Sequence, residues 1–250
     1  VNLIILTPEE MHSQSRCTLT DHRATHLRTV LRVQPGQTVR IGMLNEKIGS
    51  AEVMSIDERS VELSCTFDTD PPAIHQTVDL ICAVSRPKTV RKILGVSAMM
   101  GVRRLVFVRA NRTDKSYLSS PLLTPDGARP HLLEGLAQGG LTRLPEIKLA
   151  LLFRPFVEDQ LDQTFGPSEN SLRLLSDPVA GHTLDSVWGD CDKCHIVAAI
   201  GPEGGWVPFE SGLLEQQRFV RFSLGPWTLR VESAVTAILA QIQLASARYR

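Results

Sequence analysis

Two glycine-rich turns in the last fifth of this 250-residue chain carry the residue types most suited to chemistry. The first is Ile200-Gly201-Pro202-Glu203-Gly204-Gly205-Trp206, directly after an apolar run. The second is Ser223-Leu224-Gly225-Pro226-Trp227-Thr228-Leu229-Arg230-Val231-Glu232-Ser233-Ala234, leading into a final helical pattern. Glycines that follow a strand let the backbone approach a ligand and offer N–H groups with no Cβ in the way. Each turn taken alone reads as a plain connector, but each carries a proline and a carboxylate, and together they mark a ligand site. The dinucleotide pattern G-x-G-x-x-G and the phosphate-loop pattern G-x-x-x-x-G-K-[ST] are both missing from the sequence. The ligand class that remains is nucleotide-like without a pyrophosphate, held mainly by backbone groups around an adenine.

A third cluster, Cys191-Asp192-Lys193-Cys194-His195, matches the C-x-x-C-H pattern of haem attachment and half of a zinc site. Haem attachment needs export, for which the first residues carry no signal. No second cysteine pair is there to complete four zinc ligands. The cluster also runs straight into the apolar residues 196–200, so it reads as a turn, and neither metal nor haem is expected.

The elements that must position the two turns change character along the chain. Residues 3–6 form a short apolar strand, and Asp21 is placed to cap a helix whose apolar face is Leu27, Val30 and Leu31. Pro35-Gly36 is a turn, and residues 38–43, 51–56 and 61–67 are short, partly alternating strands. That pattern suggests a small β-barrel. The polar, proline-bearing stretch 68–72 then reads as a linker. From Val78 onward strands alternate with helices: strand 78–84, helix 86–100, strand 104–108, a helix near 130–138, then apolar runs at 147–152, 172–175 and 196–200. A last helix starts near Val231 with Ala234, Val235, Ile238, Leu239 and Ile242 on one face. Such alternation implies a parallel sheet covered on both faces, whose strand C-termini are the usual ligand edge. The expected class is α/β, with a β-barrel domain over 1–72 and a parallel α/β domain over 73–250.

Lys and Arg total 27 against 27 Asp and Glu, so the formal net charge is zero, which by itself points away from a nucleic-acid partner. The distribution points back toward one. Nine basic residues, Arg86, Lys88, Arg91, Lys92, Arg103, Arg104, Arg109, Arg112 and Lys115, face one acid, Asp114. A second group, Arg16, His22, Arg23, His26, Arg28 and Arg32, is opposed by Asp21. Two positive surfaces in a neutral protein suit a polyanion gripped at chosen places. No stretch reaches the roughly 18 apolar residues of a membrane span, and residues 1–6 read as a strand rather than a signal peptide. Cys17, Cys65 and Cys82 lie among apolar neighbours, as reduced thiols in a cytoplasmic protein would.

Taken together, the GPEGG turn and the Leu229-Arg230-Val231-Glu232-Ser233-Ala234 segment resemble the RsmE family, the 16S rRNA uridine N3-methyltransferases of the SPOUT superfamily. The N-terminal part agrees: His26 followed by Val30-Leu31-Arg32-Val33-Gln34-Pro35-Gly36 is similar to the H-x-x-x-V-L-R-x-x-x-G stretch of that family's PUA-like barrel. Gly101-Val102 and the segment from Gln138 to Pro145-Glu146 fall where the family has E-L-G-V and Q-S-G-R-x-x-P. The resemblance implies a C-terminal SPOUT domain tied in a deep trefoil knot, a homodimer, and S-adenosyl-L-methionine as cofactor. Carried over position by position, it implies that Ser176, Asp177, Ile200, Gly201, Pro202, Glu203, Gly204, Gly205, Leu224, Gly225, Trp227 and Leu229 line the cofactor pocket. Arg23, His26, Arg28, Arg32, Arg86, Lys88 and Arg112 would hold RNA, with the 30S ribosomal subunit as partner. Glu203 either fixes its glycine turn or has a purely structural role.

The implied chemistry is methylation of uridine N3, a weakly acidic imide nitrogen that becomes nucleophilic once its proton leaves. Arg230, which stays protonated, would stabilise the charge spreading onto O2 and O4. Glu232 either pairs with Arg230 or accepts the proton, directly or through water. Departures from the family pattern cluster on the RNA side. Val96-Ser97-Ala98-Met99-Met100 stands where the family has K-A-T-E-L, losing both charges. Gln138-Gly139-Gly140-Leu141 stands for Q-S-G-R, with Arg143 two residues on, and Val231 stands where the family has a threonine. Two other readings stay open: a related knotted methyltransferase acting on another RNA, and an inactive RNA-binding or ribosome-assembly homologue.

Overall fold

Alternating burial shows how the first sheet is built. In the strand β5 described below, Ala51 and Val53 point inward while Ser50, Glu52 and Met54 face out. The computed structural model describes residues 3–13, 15–68, 77–189 and 195–248. Most of the linker read at 68–72, and Cys191 to Cys194 of the C-x-x-C-H cluster, lie outside the described residues. Two units are distinguished, one comprising Val1–His75 with Leu133–Leu144 and the other Gln76–Leu132 with Pro145–Arg250. Leu133–Leu144, which the sequence reading assigns to the C-terminal domain, thus clusters with the N-terminal unit: Leu3 N–H donates to the Ala137 carbonyl at 3.1 Å and Thr142 Oγ1 to the Glu46 carbonyl at 2.7 Å.

The first unit contains β1 (Ile4–Leu6), β2 (Met11–Ser13), β3 (Arg16–Leu19), α1 (His22–Thr29), β4 (Thr38–Met43), β5 (Ile48–Ile56) and β6 (Val61–Phe67). The sheet order is β1-β4-β5-β6-β3-β2, antiparallel except for the β1–β4 pair. Strands as far apart as β1 and β3 share one core of Ile4, Leu6, Leu19, Leu27, Ile41, Val53 and Leu63, so the sheet curls around it. Asp21 caps α1 as expected, accepting the Arg23 N–H at 2.9 Å. The expected apolar face of α1 is corrected. Leu27 is buried, but Val30 and Leu31 are 63% and 45% exposed. Both of their amides bond to the His26 carbonyl, which ends the helix, and Arg32 at φ 51° turns Val33 into the core instead.

The second unit runs β7 (Val78–Ala83), α2 (Pro87–Met99), β8 (Arg104–Val108), α3 (Pro125–Gly139, whose last turns from Leu133 belong to the first unit), β9 (Glu146–Ala150), α4 (Phe153–Pro155), a π-helical turn (Phe156–Gln160), α5 (Leu161–Phe165), β10 (Ser171–Ser176), α6 (Leu184–Val187), β11 (His195–Ile200), α7 (Pro208–Gln216), β12 (Val220–Phe222) and α8 (Val231–Arg248). Its sheet is parallel throughout, in the order β12-β10-β11-β7-β8-β9. One face is covered by Phe153, Phe156, Leu161, Phe165 and Leu214, packed on Ile81, Val106 and Val197. The intervening residues Leu80, Cys82, Leu105 and Phe107 are equally buried, so both faces are covered. The strands expected from the sequence are all found, and α8 begins at Val231. The helix read at 130–138 starts earlier, at Pro125, and Pro130 lies inside it. Residues 153–165, α6, α7 and β12 are absent from the sequence reading.

After β12, which flanks β10 at the edge of the sheet, Ser223 N–H donates to the His182 carbonyl at 2.7 Å and Ser223 bridges Thr183. The chain then returns so that α8 packs on β11, α2 and α6. A return past β10 is the course that a knotted C-terminus requires.

Candidate active site

Because every strand of the second sheet is parallel, the C-terminal ends of β7, β8, β10, β11 and β12 share one edge. Both glycine turns lie there. In the first, Gly205 adopts φ +71° and its N–H donates to the Pro202 carbonyl at 2.8 Å. A side chain at Gly205 would be strained, although the space above it is open. At Gly201 a Cβ would lie 3.1 Å from the Trp206 backbone nitrogen, so the indole closes over this glycine. Trp206 stacks obliquely on Phe153, ring centroids 5.6 Å apart, and its buried Nε1 has no hydrogen-bond partner among the described residues. Glu203 accepts the Arg86 backbone N–H at 3.5 Å, a long contact from the residue before α2. Behind the turn, buried Glu210 accepts the Asn111 N–H at 2.6 Å and the Val207 N–H at 3.0 Å.

In the second turn, Ser223 Oγ exchanges bonds with the Gly225 N–H and carbonyl, and Gln241 donates to the Leu224 carbonyl at 3.3 Å. The backbone N–H groups of Trp227, Thr228 and Leu229 have no partner among the described residues. They are donors in a strand-end loop. Ser176 ends β10, and the Asp177 carboxylate accepts the Val179 N–H at 3.0 Å and Arg221 Nη1 at 3.1 Å. Arg230 closes the turn: its carbonyl accepts the Ala234 N–H at 2.8 Å as α8 begins. Its side chain is exposed and makes no hydrogen bond or ion pair among the described residues.

Glu232 has a different partner from the one expected. Its carboxylate, mostly buried, takes a 3.0 Å bond from Lys92 Nζ rather than from Arg230. Its own backbone N–H, then the Lys92 ammonium, hold it below the usual glutamate range. Such a carboxylate is a weaker base than a free glutamate, which counts against proton acceptance.

The residues read as RNA ligands divide into committed and free. Arg23 is committed: its guanidinium serves the Glu10 and Asp21 carboxylates and the Ile5 carbonyl. Arg28 bonds to the carbonyls of Asp57 and Glu58 but stays half-exposed. His26 is half-buried, with Nε2 unpartnered among the described residues, and burial above all, helped by neighbouring positive charge, holds its pKa low. Arg32 is exposed on its positive-φ turn beside Val30 and Leu31. In the second unit Arg86 and Lys88 are exposed with free side chains among the described residues. Arg112 instead braces the glycine turn through the Gly204 carbonyl. Lys92, Trp206 and Glu210 were missed as site residues. Glu210 had a signal, an acid at the third position of a helix opened by Pro208; Lys92 and Trp206 stood out only as members of the basic run and of the first glycine turn.

Comparison with known proteins matches the two ends of the sequence to separate family models. A family model described as an RNA methyltransferase domain matches residues 72–243, and one described as an RNA methyltransferase PUA domain matches 19–64. The chain is 28% identical to ribosomal RNA small subunit methyltransferase E of Treponema pallidum, over 97% of this chain and 90% of that protein. It is 24% identical to the corresponding enzyme 1 of Borreliella burgdorferi, over 95% of both. Among solved structures, small subunit methyltransferase E of Neisseria gonorrhoeae, described as bound to S-adenosyl methionine, superimposes with a TM-score of 0.77 at 22% identity, covering 97% of both chains. A Legionella pneumophila methyltransferase, described with bound cofactor SAM, gives 0.73 at 21%, covering 98% of this chain and 97% of the other. These likenesses bear out the SPOUT α/β fold and the RsmE resemblance. With its model spanning well over half the sequence, the chain belongs to the RNA methyltransferase domain family, carrying a PUA domain on its N-terminal side.

Proposed function

We propose that this chain uses S-adenosyl-L-methionine to methylate N3 of a uridine in 16S rRNA, acting on the small ribosomal subunit as a cytoplasmic homodimer. The observation that carries the reading is the pairing of two glycine turns, rich in unpartnered amides, with an unpaired arginine at one edge of a parallel sheet. The residues fit the cofactor: Trp227, Thr228 and Leu229 offer free N–H donors, the space above Gly205 is open, and none of these groups demands a phosphate. Glu203, Gly204 and Leu224 would complete its cradle, with Ser176, Asp177, Ile200, Gly201, Pro202 and Gly225 shaping it. When bound, S-adenosylmethionine supplies an electrophilic methyl group on a sulfonium.

The chain's own work is binding and charge placement. Arg230, hydrogen-bonded to no carboxylate among the described residues and only weakly felt by Glu232, is available to stabilise the imide anion as N3 loses its proton. Glu232, held by Lys92, fixes the first turn of α8 behind Arg230, and the proton leaves to water. The target base reacts on its pairing edge and so must be unpaired or splayed out. Trp227 (76%), Leu229 (38%) and Leu244 (63%) are exposed apolar residues available to a second copy.

The test is transfer of a labelled methyl group to 30S particles and to naked 16S rRNA, with mass spectrometry locating the product. N3-methyluridine at one position supports the reading; a product on another RNA or atom overturns it. A prediction arises for the N-terminal unit, where half-exposed Arg28 precedes exposed Val30, Leu31 and Arg32. The double substitution R28E/R32E should weaken RNA binding and lower the slope of log affinity against log salt by about 0.7 to 0.9 per lost phosphate contact. Cofactor affinity should not change. Filter binding over a salt series checks the first outcome and calorimetry the second.

A further inference from the structure

α2 and α8 run side by side in the same direction, bonded at two levels: Lys92 Nζ to the Glu232 carboxylate at 3.0 Å and Gln243 Nε2 to the Met100 carbonyl at 3.4 Å. The upper bond reaches the first turn of α8, whose opening carbonyl belongs to Arg230. Glu232 is thus gripped twice, by its own N–H and by Lys92, two residues from the free guanidinium. Val96 stands further along α2 and is apolar. Lys92 precedes Val96 by four residues, one helical turn on the same face of α2. It is also the side chain on α2 that touches Glu232.

We infer that Lys92 is a positioning residue for methyl transfer and that it fixes Arg230 by clamping Glu232. The inference rests on Arg230 acting at the reacting base. Lys92 itself touches neither base nor cofactor in this reading. Its effect is to stop α8 from fraying at its start and carrying the guanidinium away from the developing charge. Helical side chains lean toward the N-terminus, so a lysine placed at 96 leans back toward the Glu232 level and can restore the clamp.

The experiment compares the full-length protein, Lys92→Met, and K92M/V96K. Lys92→Met should lower kcat by about ten- to a hundredfold, the scale expected of a misplaced catalytic group. Its KM for RNA and its Kd for S-adenosylmethionine should stay near those of the unaltered protein, and K92M/V96K should recover most of kcat. Amide hydrogen exchange at Ala234 to Ile238 should quicken in Lys92→Met and slow again in the double variant, a readout that needs no turnover. Unchanged kcat and exchange in Lys92→Met overturn the inference. So does a rise in KM with kcat intact, which would make Lys92 a phosphate contact, and so does a double variant that fails to recover. If the unaltered protein methylates no uridine, the function proposed above fails, while the exchange arm still decides whether Lys92 holds α8.

Discussion

Arg230→Ala is expected to bind S-adenosylmethionine as the unaltered protein does and to lose about 10²- to 10³-fold in kcat, the usual consequence of removing one preorganised donor from a developing negative charge. The expectation comes from the freedom of the side chain. An arginine already paired with a carboxylate would bring a neutralised dipole to the reaction, and its removal would cost little. Arg230 makes no such bonded pair among the described residues: Glu232 is bonded to Lys92 and feels Arg230 only as a smaller coulombic effect. The backbone of Arg230 caps α8 whatever its side chain, so Arg230→Ala leaves the Ala234 N–H bonded and the fold intact. Arg230→Lys should recover part of the rate, since a point charge replaces the planar fork. Single-turnover transfer from labelled donor measures the chemical step, and calorimetry measures cofactor binding. Full turnover by Arg230→Ala would remove this residue from the chemistry, and parallel loss of cofactor binding would make it a pocket residue.

Much of this site was legible before any coordinates because the signals were local. Glycine needs no partner to advertise a turn, so 201–205 and 225 stood out, and the period of three and four in α8 announced its buried face from Val231 on. Asp21 could be read as a cap because capping involves neighbours two residues apart. What escaped were features set by distant contacts. Val30 and Leu31 continue the helical spacing of Leu27, but the helix ends on the His26 carbonyl and leaves them in solvent. Arg23 and Arg112 counted as free positive charge, yet one is spent on Glu10 and Asp21 and the other on a backbone carbonyl 92 residues away. Glu232 was read against its sequence neighbour Arg230, whereas its partner Lys92 lies 140 residues earlier. Residues 153–165 were hard to read because a π-helical turn shifts the spacing of their apolar positions midway.

Asp79 carries the largest expected effect on stability. It interrupts the apolar strand β7 at a fully buried position, at the edge of the sheet opposite the two glycine turns. Its carboxylate accepts Arg103 Nε at 3.0 Å, Arg103 Nη2 at 2.6 Å and His195 Nε2 at 2.7 Å, joining the starts of β7 and β11 to the residue before β8. Although burial opposes ionisation, the bonds from His195 and Arg103 prevail and keep its pKa below the usual aspartate value. Asp79→Ala strands these donors, and breaking a buried pair typically costs about 3–5 kcal/mol. Arg103 is 42% exposed and can rehydrate, so the low end, about 3 kcal/mol, is expected. For a chain of this size that corresponds to a fall in Tm of about 6–12 °C. The sign with pH follows from the lowered pKa. The stabilisation is fully present above the unfolded value of about 3.9 and is lost as pH falls through the lower folded value. The gap in Tm between the unaltered protein and Asp79→Ala should therefore be wide at pH 7 and narrow below about pH 4. A gap that is absent at neutral pH, or that widens on acidification, would show that Asp79 does not hold these strands. Well below the melting transition Asp79→Ala should still bind cofactor, because five or six residues of strand, about 17–20 Å, separate this staple from the glycine turns.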